Sequence, residues 1–399
     1  MRKIPIALGA AASLLVLGIS AGAAQAQASV SNTIFVSPNA SGHGAGTSCR
    51  TARYSDINAA VAAAGSGGTV VVCHGTYDEQ VVVTTPLNLI GRHATINAHG
   101  QPPLKIGGMT LPGSTGIAVL KTSDVNVRGF TVTGASFDAI LVAASSHVSV
   151  SRNTLVNNGT FVNLQQGGSG VGVDLNSSTW SAAIGNVAIN NQGGGFEIAD
   201  DVGPASHNTV AWNFETGSFD GCGVIVAGHS TAGVTDNLVA HNSVSKNGTT
   251  KGTQASGLLL ASEVPGETMT GNLFFDNRAW GNGLAGMTIH VHLPGQHFND
   301  NKVIGNWIGT NNIVGDPIDL FTTPAATKNV AVPDLRTTGI LAATASQVSG
   351  TMIAGNHITR NYYGIFLEAL KSALPSPVAG LKTNTFHRVR QPLKVVIVG

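Results

Sequence analysis

Four ionisable side chains recur at one equivalent place in successive segments of this chain, and their types suit acid–base chemistry. Each lies six residues after a glycine that opens a short apolar stretch, and in chain order they are Asp201, His229, Glu263 and His292. A carboxylate beside an imidazole holds the ring in one tautomer or raises its pKa, which makes the histidine a usable acid or base. Because only 10% of the residues are Asp, Glu, Lys or Arg, we interpret this coincidence as a row of functional groups.

Further polar residues fall close to this row when the segments are aligned. Adjacent residues on a strand point to opposite faces, so Asp200 joins the catalytic groups only where a turn redirects it. The expected substrate-binding groups are Asp174, Glu197 and His290, which lie near the row in this alignment, together with the cations Lys246 and Arg278. Paired acids suit glycoside hydrolysis, in which one protonates the leaving oxygen and the other attacks or activates water.

The same residue types leave a metal-binding interpretation open. Two histidines with Asp and Glu are the ligand types of a zinc or similar site. Four groups spaced ~4.8 Å apart extend over ~14 Å, however, so two or three at most could reach one ion. We therefore assign no metal ligand and keep a divalent metal only as a possible cofactor.

The row depends on a repeat that covers most of the chain. Seven pairs of asparagines, each five residues apart, mark successive units: Asn153/Asn158, Asn186/Asn191, Asn208/Asn213, Asn237/Asn242, Asn272/Asn277, Asn301/Asn306 and Asn356/Asn361. A third asparagine follows ten residues after the first at Asn247, Asn282 and Asn311, and Asn384 starts an incomplete eighth unit. The glycines that open the apolar stretches run from Gly172 to Gly364, at steps of 23, 28, 34, 29, 53 and 25 residues.

Short strands in a repeat of this length predict a solenoid. Each unit has two or three strands of period two, too short to bury an apolar face alone, and parallel stacking of units buries a continuous core. Asparagine tolerates a left-handed turn, and stacked asparagines can form an amide ladder. Abundant Gly, Asn and β-branched residues exclude a helical solenoid, and the units lack the four strands of a propeller blade. We predict an all-β, single-stranded right-handed parallel β-helix.

The N-terminal part adds a family resemblance. Residues 35–38, 54–61, 68–72 and 74–79 resemble the opening of exported members of the pectate-lyase-like right-handed β-helix superfamily. The resemblance covers roughly residues 33–399 and implies an N-terminal capping helix, read here at residues 57–64, and a polysaccharide as partner.

The superfamily also suggests three reactions. Its lyases and epimerases abstract a proton beside a uronate carboxylate, often with a cationic residue as base and sometimes with calcium. The candidate cations are Lys246, Lys251 and Arg278. Asp200-Asp201 and Gly228-His229-Ser230 are similar to elements of polygalacturonase-type glycosidases, with Asp174 in the first acid position. Ser230 stands where those enzymes have glycine, and no Arg-Ile-Lys element follows.

The first residues predict export. A basic start, an apolar stretch and two overlapping Ala-x-Ala patterns indicate a signal peptide over residues 1–28, so the protein is expected to be secreted or periplasmic. The mature domain then spans 29–399, with a cap at about 33–100 and coils at about 101–399. Cys49 and Cys73 lie close together on an exported chain and are expected to form a disulfide, whereas Cys222 is expected to be a small buried residue.

Composition excludes some partners and leaves three functions open. Loss of Arg2 and Lys3 with the leader changes the formal net charge from +1 to −1, which does not favour nucleic acid, and no later stretch is long enough to span a membrane. The functions are an enzyme that acts on polysaccharide, a non-catalytic carbohydrate-binding surface protein, and a periplasmic metal-handling protein resembling copper-site maturation factors. Loops at about 159–170, 248–256, 292–300 and 312–338 are expected to shape the binding face.

Overall fold

A computed structural model describes residues 32–106, 109–159, 170–250, 255–314, 336–374 and 378–398. The expected leader and much of three expected loops, at residues 160–169, 251–254 and 315–335, lie outside the described residues. The fourth expected loop, at 292–300, is partly regular, because His297–Asn299 forms a strand. In the described residues, nearly all strand pairings are parallel; the exception joins Lys105–Ile106 to Met109–Thr110.

The strands of the described chain stack into three parallel sheets. The eleven-stranded sheet consists of Val81–Val83, Ile117–Leu120, Ile140–Ala143, Val171–Asn176, Gly194–Ala199, Val224–Gly228, Leu258–Ser262, Met287–Val291, Thr338–Thr344, Tyr363–Leu370 and Gln391–Val398. The five-stranded sheet consists of Ala205–Ser206, Val234–Thr235, Thr268–Thr270, His297–Asn299 and Val348–Ser349.

The twenty-stranded sheet is bent, because most coils contribute two short strands to it. Its strands are Thr33–Val36, Gly68–Val72, Gly75–Tyr77, Leu87–Asn97, Val125–Thr133, Ser149–Ser151, Thr154–Val156, Ala182–Ile184, Val187–Ile189, Thr209–Ala211, Phe214–Thr216, Leu238–Ala240, Ser243–Ser245, Leu273–Phe275, Arg278–Trp280, Lys302–Ile304, Trp307–Ile308, Met352–Ala354, His357–Thr359 and Thr385–His387. Parallel pairing already joins Thr33–Val36 to Gly68–Val72. Residues 33–100, expected as a cap, therefore also carry coil strands.

One short α-helix, Ile57–Ala64, packs at the N-terminal end of the described coil. Its N-cap Asp56 accepts a hydrogen bond from the Ala59 N–H at 2.6 Å, and its apolar face is buried in the core. The Glu79 carboxylate accepts a further bond from the Ile57 N–H at 2.9 Å. Within the described residues, 3₁₀ turns also occur at Cys49–Thr51, Lys371–Ala373 and Leu381–Thr383.

All three cysteines behave as expected. Cys49 and Cys73 form a disulfide that ties the segment before the helix to the end of a core strand. Cys222 is buried, and burial raises the pKa of its thiol to about 12. Cys222 is therefore a packing residue and not a reactive thiol.

The coils enclose one continuous apolar core. Side chains from the capping helix to the last coils contribute to it, among them Ile57, Val127, Phe196, Phe274 and Ile365, each at most 2% exposed. Every second residue of a strand points inward, so each coil adds a few apolar residues to the interior. This rigid core holds the outward-facing side chains at fixed positions.

Asparagine side chains form buried ladders at three bends of the coil. The longest runs through Asn153, Asn186, Asn213, Asn242, Asn277, Asn306, Asn356 and Asn384, with each amide Nδ2 donating to the next Oδ1 at 2.8–3.2 Å. A second joins Asn158 to Asn191, then Asn247, Asn282, Asn311 and Asn361. A third contains Asn208, Asn237, Asn272 and Asn301.

The ladders show that the seven asparagine pairs do not occupy equivalent positions in their coils, contrary to the expectation from their spacing. Asn186 is the first member of its pair and Asn213 the second, yet the two are neighbours in one ladder. The middle coils carry an additional bend, and its ladder holds the first asparagine of four pairs. All three bends use the same residue type, so spacing alone did not distinguish them.

An acidic side chain, Glu215, lies inside the coil. Its carboxylate is fully buried and accepts bonds from Ser218 Oγ at 2.8 Å and Asn247 Nδ2 at 2.7 Å. A Cβ on Gly195 would lie 2.2 Å from Glu215 Cγ, so only glycine fits beside this side chain. Burial raises the pKa of Glu215 to about 7, although the bonds from Asn247 and Ser218 lower it.

This buried carboxyl predicts a pH-dependent stability. The folded pKa lies above the ordinary value of 4.5, so the folded state binds the proton more tightly than the unfolded chain. Stability from this group is present at low pH and is lost as pH rises from about 4.5 to 7, by an amount of the order of 3 kcal/mol. We expect Glu215→Gln to reduce this loss, measured by urea unfolding at pH 4.5 and pH 7.5. Equal losses in the variant and the wild type would contradict the prediction.

Candidate functional site

The four ionisable residues of the repeat follow strands of the eleven-stranded sheet in matching register. Gly228 pairs with Ser262, and Ser262 pairs with Val291, so the residues that come next in these strands share one position. Ala199 pairs with Ala227, which brings Asp201 opposite His229. We call Asp201, His229, Glu263 and His292 the acid–histidine row.

Direct contacts link the first three members of the row. His229 Nδ1 lies 2.6 Å from Asp201 Oδ1, and His229 Nε2 lies 3.9 Å from Glu263 Oε2. The three side chains are partly open to solvent, at 47%, 32% and 45% exposure for Asp201, His229 and Glu263. The imidazole therefore bridges two accessible carboxylates.

His292 interacts with a different neighbour. Its ring packs on that of His290, with centroids 3.6 Å apart. Burial, and to a smaller extent the charge of the neighbouring His290, lowers the pKa of His292 to about 3. His292 is thus neutral at physiological pH, unlike His229.

Charges within the row keep Asp201 ionised and His229 protonated. Burial lowers the pKa of His229, but the hydrogen bond to Asp201 and the charges of Glu197 and Glu263 outweigh it and raise the pKa to about 10. Burial raises the pKa of Asp201, but bonds from His229 and Asn176 lower it below its usual value. The pair is an ion pair near neutral pH.

Two buried carboxyl groups lie next to the row. Asp174 and Glu197 are paired positions on neighbouring strands and are 3% and 9% exposed. Burial raises the pKa of Glu197 to about 7; the charge of His229 lowers it, whereas Asp138, Asp201 and Glu263 raise it. Burial and the charge of Glu197 raise the pKa of Asp174 well above its usual value. Glu197 can therefore carry a proton where Asp201 cannot.

Asn176 connects the buried acids to the row. Its Nδ2 donates to Asp174 Oδ2 at 3.2 Å and to Asp201 Oδ2 at 2.6 Å. Sequence reasoning did not select Asn176. The signal was available, because Asn176 lies two residues after Asp174 and therefore on the same face of the strand.

Asp200 is placed away from the reacting surface, which corrects its expected catalytic role. It is fully buried, and its Oδ1 accepts bonds from the N–H groups of His229 and Ser230 at 2.7 and 3.0 Å. Its Oδ2 accepts from Ser230 Oγ at 3.0 Å and from the Gly233 N–H at 2.8 Å. Asp200 is thus a positioning residue that fixes the turn carrying His229.

Glu267 fixes the turn that carries Glu263, as Asp200 does for the turn that carries His229. Sequence reasoning did not select Glu267. Its Oε2 accepts from the N–H groups of Glu263 and Val264 at 2.7 and 3.1 Å. Gly228 leaves room for it, since a Cβ there would overlap the Glu267 carboxylate. One coil further on, Gln296 Oε1 accepts from the Leu293 N–H at 2.9 Å. Both side chains lie four residues after a member of the row, so extending the alignment by four would have indicated them.

Lys246 and Arg278, the cations expected to bind substrate, lie on another face of the coil from the row. Arg278 belongs to the strand Arg278–Trp280 of the twenty-stranded sheet. Lys246 occupies the bend after Ser243–Ser245 with φ of 59°. Both residues come before the turn into the eleven-stranded sheet, whereas the row comes after the strands of that sheet. They therefore lie on a different side of the coil from the row.

The arrangement of metal-ligating side chains bears on the possible cofactor. Among the residues that the structure describes, no three His, Cys, Asp or Glu side chains are placed to hold one metal ion. The possible zinc or calcium cofactor therefore has no set of three such ligands in this part of the chain. Within the same residues, no helix is both long and apolar enough for a bilayer crossing.

Comparisons with known proteins agree with this architecture. The family model of the right-handed β-helix region matches residues 18–214. The surface adhesin PfbA of Streptococcus pneumoniae is 15% identical, with a TM-score of 0.56 over 84% of this chain and 86% of that one. Pectate lyase Pel9A is 13% identical, with a TM-score of 0.50 over 88% of this chain and 78% of that one. A comparison with curated proteins finds no significant match.

The chain is therefore a right-handed parallel β-helix protein with the fold of the pectate-lyase-like superfamily, which confirms the fold prediction. At these identities the likeness concerns the fold alone. One similar structure is a lyase and the other an adhesin, so the function has to be argued from the site.

Substitution of Asp201 tests the electrostatics of the row. We expect Asp201→Asn to lower the pKa of His229 by about 1 to 3 pH units, because the variant loses the carboxylate that contacts the imidazole. The titration is followed by NMR of the imidazole nitrogens. Asp276→Asn removes a carboxylate that lies 3.0 Å from a different histidine, His241, and should leave His229 unchanged. An unaltered His229 titration in Asp201→Asn would contradict the contact.

Proposed function

We propose that the acid–histidine row and the buried acids beside it form the active site of a glycoside hydrolase that cleaves an extracellular polysaccharide. The observation that carries this proposal is the series of contacts from Asn176 through Asp201 and His229 to Glu263. Asp201, His229 and Glu263 are partly open to solvent, and a buried proton donor, Glu197, lies within range of their charges.

The buried environment of Glu197 and the ion-paired environment of Asp201 suggest a different role for each carboxyl group. Glu197, protonated near neutral pH, supplies the proton to the leaving glycosidic oxygen. Asp201, held ionised by His229 and Asn176, attacks the sugar or activates water. Glu263 offers a second exposed carboxylate that can orient a sugar hydroxyl or the water.

Charge around the site favours an uncharged sugar at the point of cleavage. The strongest influences on the pKa values of Glu197, Asp201 and His229 come from burial and from one another, with Asp138, Glu263 and Asn176, and no Lys or Arg is among them. A lyase or epimerase needs a cation to neutralise the uronate carboxylate. Lys246 and Arg278 lie on another face, and the charge of His229 is already balanced by Asp201. We therefore favour hydrolysis over the two uronate reactions.

A non-catalytic glycan-binding protein is the second candidate. The similarity in fold to the adhesin PfbA supports it, as do the exposed indole rings of Trp280 and Trp307 on the twenty-stranded sheet. Export, common to both candidates, is supported by the Cys49–Cys73 disulfide, because disulfides persist in oxidising compartments. The signal peptide over residues 1–28 stays a prediction.

A panel of neutral and uronate-containing polysaccharides tests the proposal. We expect new reducing ends without ultraviolet-absorbing unsaturated products, and loss of these reducing ends in Asp201→Asn. Unsaturated products would overturn the hydrolase in favour of a lyase. Binding to a glycan without any product would favour the second candidate.

A further inference from the structure

Two tryptophans form an exposed aromatic surface on the twenty-stranded sheet. Trp280 and Trp307 are 39% and 49% exposed and lie on neighbouring strands, where Arg278 pairs with Trp307. Trp307 also stacks on His357, with ring centroids 4.3 Å apart. Large indoles are costly to leave in water, and exposed aromatic groups of this kind mark binding surfaces.

Trp280 lines two depressions in this surface. One, of about 410 Å³, is lined by Trp280, Trp307 and Arg278. The other, of about 370 Å³, is lined by Trp280 and Arg360. Gly309 contributes to both, and a Cβ there would lie 2.9 Å from Trp280 Cβ. Glycine at this position thus leaves room beside Trp280.

Each depression has one guanidinium group available to a ligand. Neither Arg278 nor Arg360 forms an ion pair within the described part of the chain. The residues that line the two depressions include no Asp or Glu. The surface therefore combines flat aromatic faces with unneutralised positive charge.

We propose that this surface, formed by Trp280, Trp307, Arg278 and Arg360, binds an anionic polysaccharide. Two depressions that share Trp280 suit at least two consecutive sugars. The apolar face of a sugar ring packs on an indole, and its carboxylate or sulfate accepts hydrogen bonds from a guanidinium. The site belongs to a different sheet from the acid–histidine row and does not depend on the proposed hydrolase activity.

Binding to defined polymers tests the proposal with the full-length mature protein. Calorimetry with a polyuronate, a sulfated polysaccharide and neutral dextran should show binding to at least one anionic polymer and little to dextran. Preference for the polyuronate assigns a carboxylate ligand, and preference for the sulfated polymer assigns a sulfate ester. Binding should weaken with salt, because it includes charge attraction. Failure to bind either anionic polymer, or equal binding to dextran, would overturn the site.

Substitutions distinguish polymer binding at this surface from polymer binding at the acid–histidine row. We expect Trp280→Ala to weaken binding by about tenfold or more, and Arg278→Gln with Arg360→Gln to weaken it and reduce its salt dependence. Trp180→Ala is the matched control, since Trp180 is 58% exposed and stacks on His207 at another bend. Glu197→Gln should leave this binding unchanged. Binding that is lost in Glu197→Gln but retained in Trp280→Ala would place the ligand at the row and overturn the proposal.

Discussion

Replacing Glu197 with Gln should lower polysaccharide cleavage by about 10² to 10⁴-fold, the usual contribution of a general acid. Glutamine keeps the shape of the protonated side chain but cannot give up a proton to the leaving oxygen. In the wild type, cleavage should fall as pH rises through about 7, because Glu197 then loses its proton. The measurement is the initial rate of reducing-end release between pH 5 and pH 9.

The loss should not come from misfolding. The pKa of Glu197 is higher in the folded protein than its ordinary value of 4.5, so stability from this group is lost as pH rises from about 4.5 to 7. Gln removes the cost of burying the charge, and the variant should be at least as stable as the wild type at pH 8. Thermal unfolding at that pH measures this.

Glu368→Gln provides a matched control for this experiment. Glu368 is also buried on the eleven-stranded sheet, and burial raises its pKa to about 7. It pairs with Ala343, beyond the coils that carry the row, so its loss should leave cleavage unchanged. Full activity in Glu197→Gln, or equal losses in both variants, would remove Glu197 from the mechanism.

Asn242→Ala should lower the free energy of unfolding by about 3 to 5 kcal/mol. Asn242 lies inside the longest ladder and is 1% exposed. Its Nδ2 donates to Val210 O at 2.8 Å and to Asn277 Oδ1 at 3.0 Å, and its Oδ1 accepts from the N–H and Nδ2 of Asn213. Alanine would leave these buried groups without partners and with no access for water.

Urea unfolding followed by circular dichroism measures the effect of Asn242→Ala. The half-buried Asn126, on the strand Val125–Thr133, takes no part in a ladder. Asn126→Ala should therefore change stability by no more than about 0.5 kcal/mol. A loss below about 1 kcal/mol for Asn242→Ala would mean that the ladders contribute little.

The repeat predicted the position of the row because parallel pairing transmits register. Each glycine that opens a strand pairs with the next coil at the step read from the sequence, even across 53 residues between Gly286 and Gly339. Insertions lie in the turns and loops, so they change the length of a coil without shifting its strands. The alignment of Asp201, His229 and Glu263 followed from this alone.

The asparagine pairs were less informative, because the same residue serves three bends. Ser218 occupies a place in the second ladder, where its N–H donates to Asn247 Oδ1 at 2.9 Å. Because serine occupies that position, the sequence does not show that Asn191 and Asn247 belong to the same ladder. Only the paired strands show which bend each asparagine occupies.

The sequence by itself determined the β-helix, its register and the order of groups in the row, since these depend on local periodicity and parallel hydrogen bonding. Tertiary structure alone decided which groups face solvent. Asp200 and Asp201 are adjacent, yet one is buried in the turn of the next coil and the other contacts His229. Burial, which separates the pKa values of Glu197 and Asp201, depends on neighbouring coils that no local pattern records.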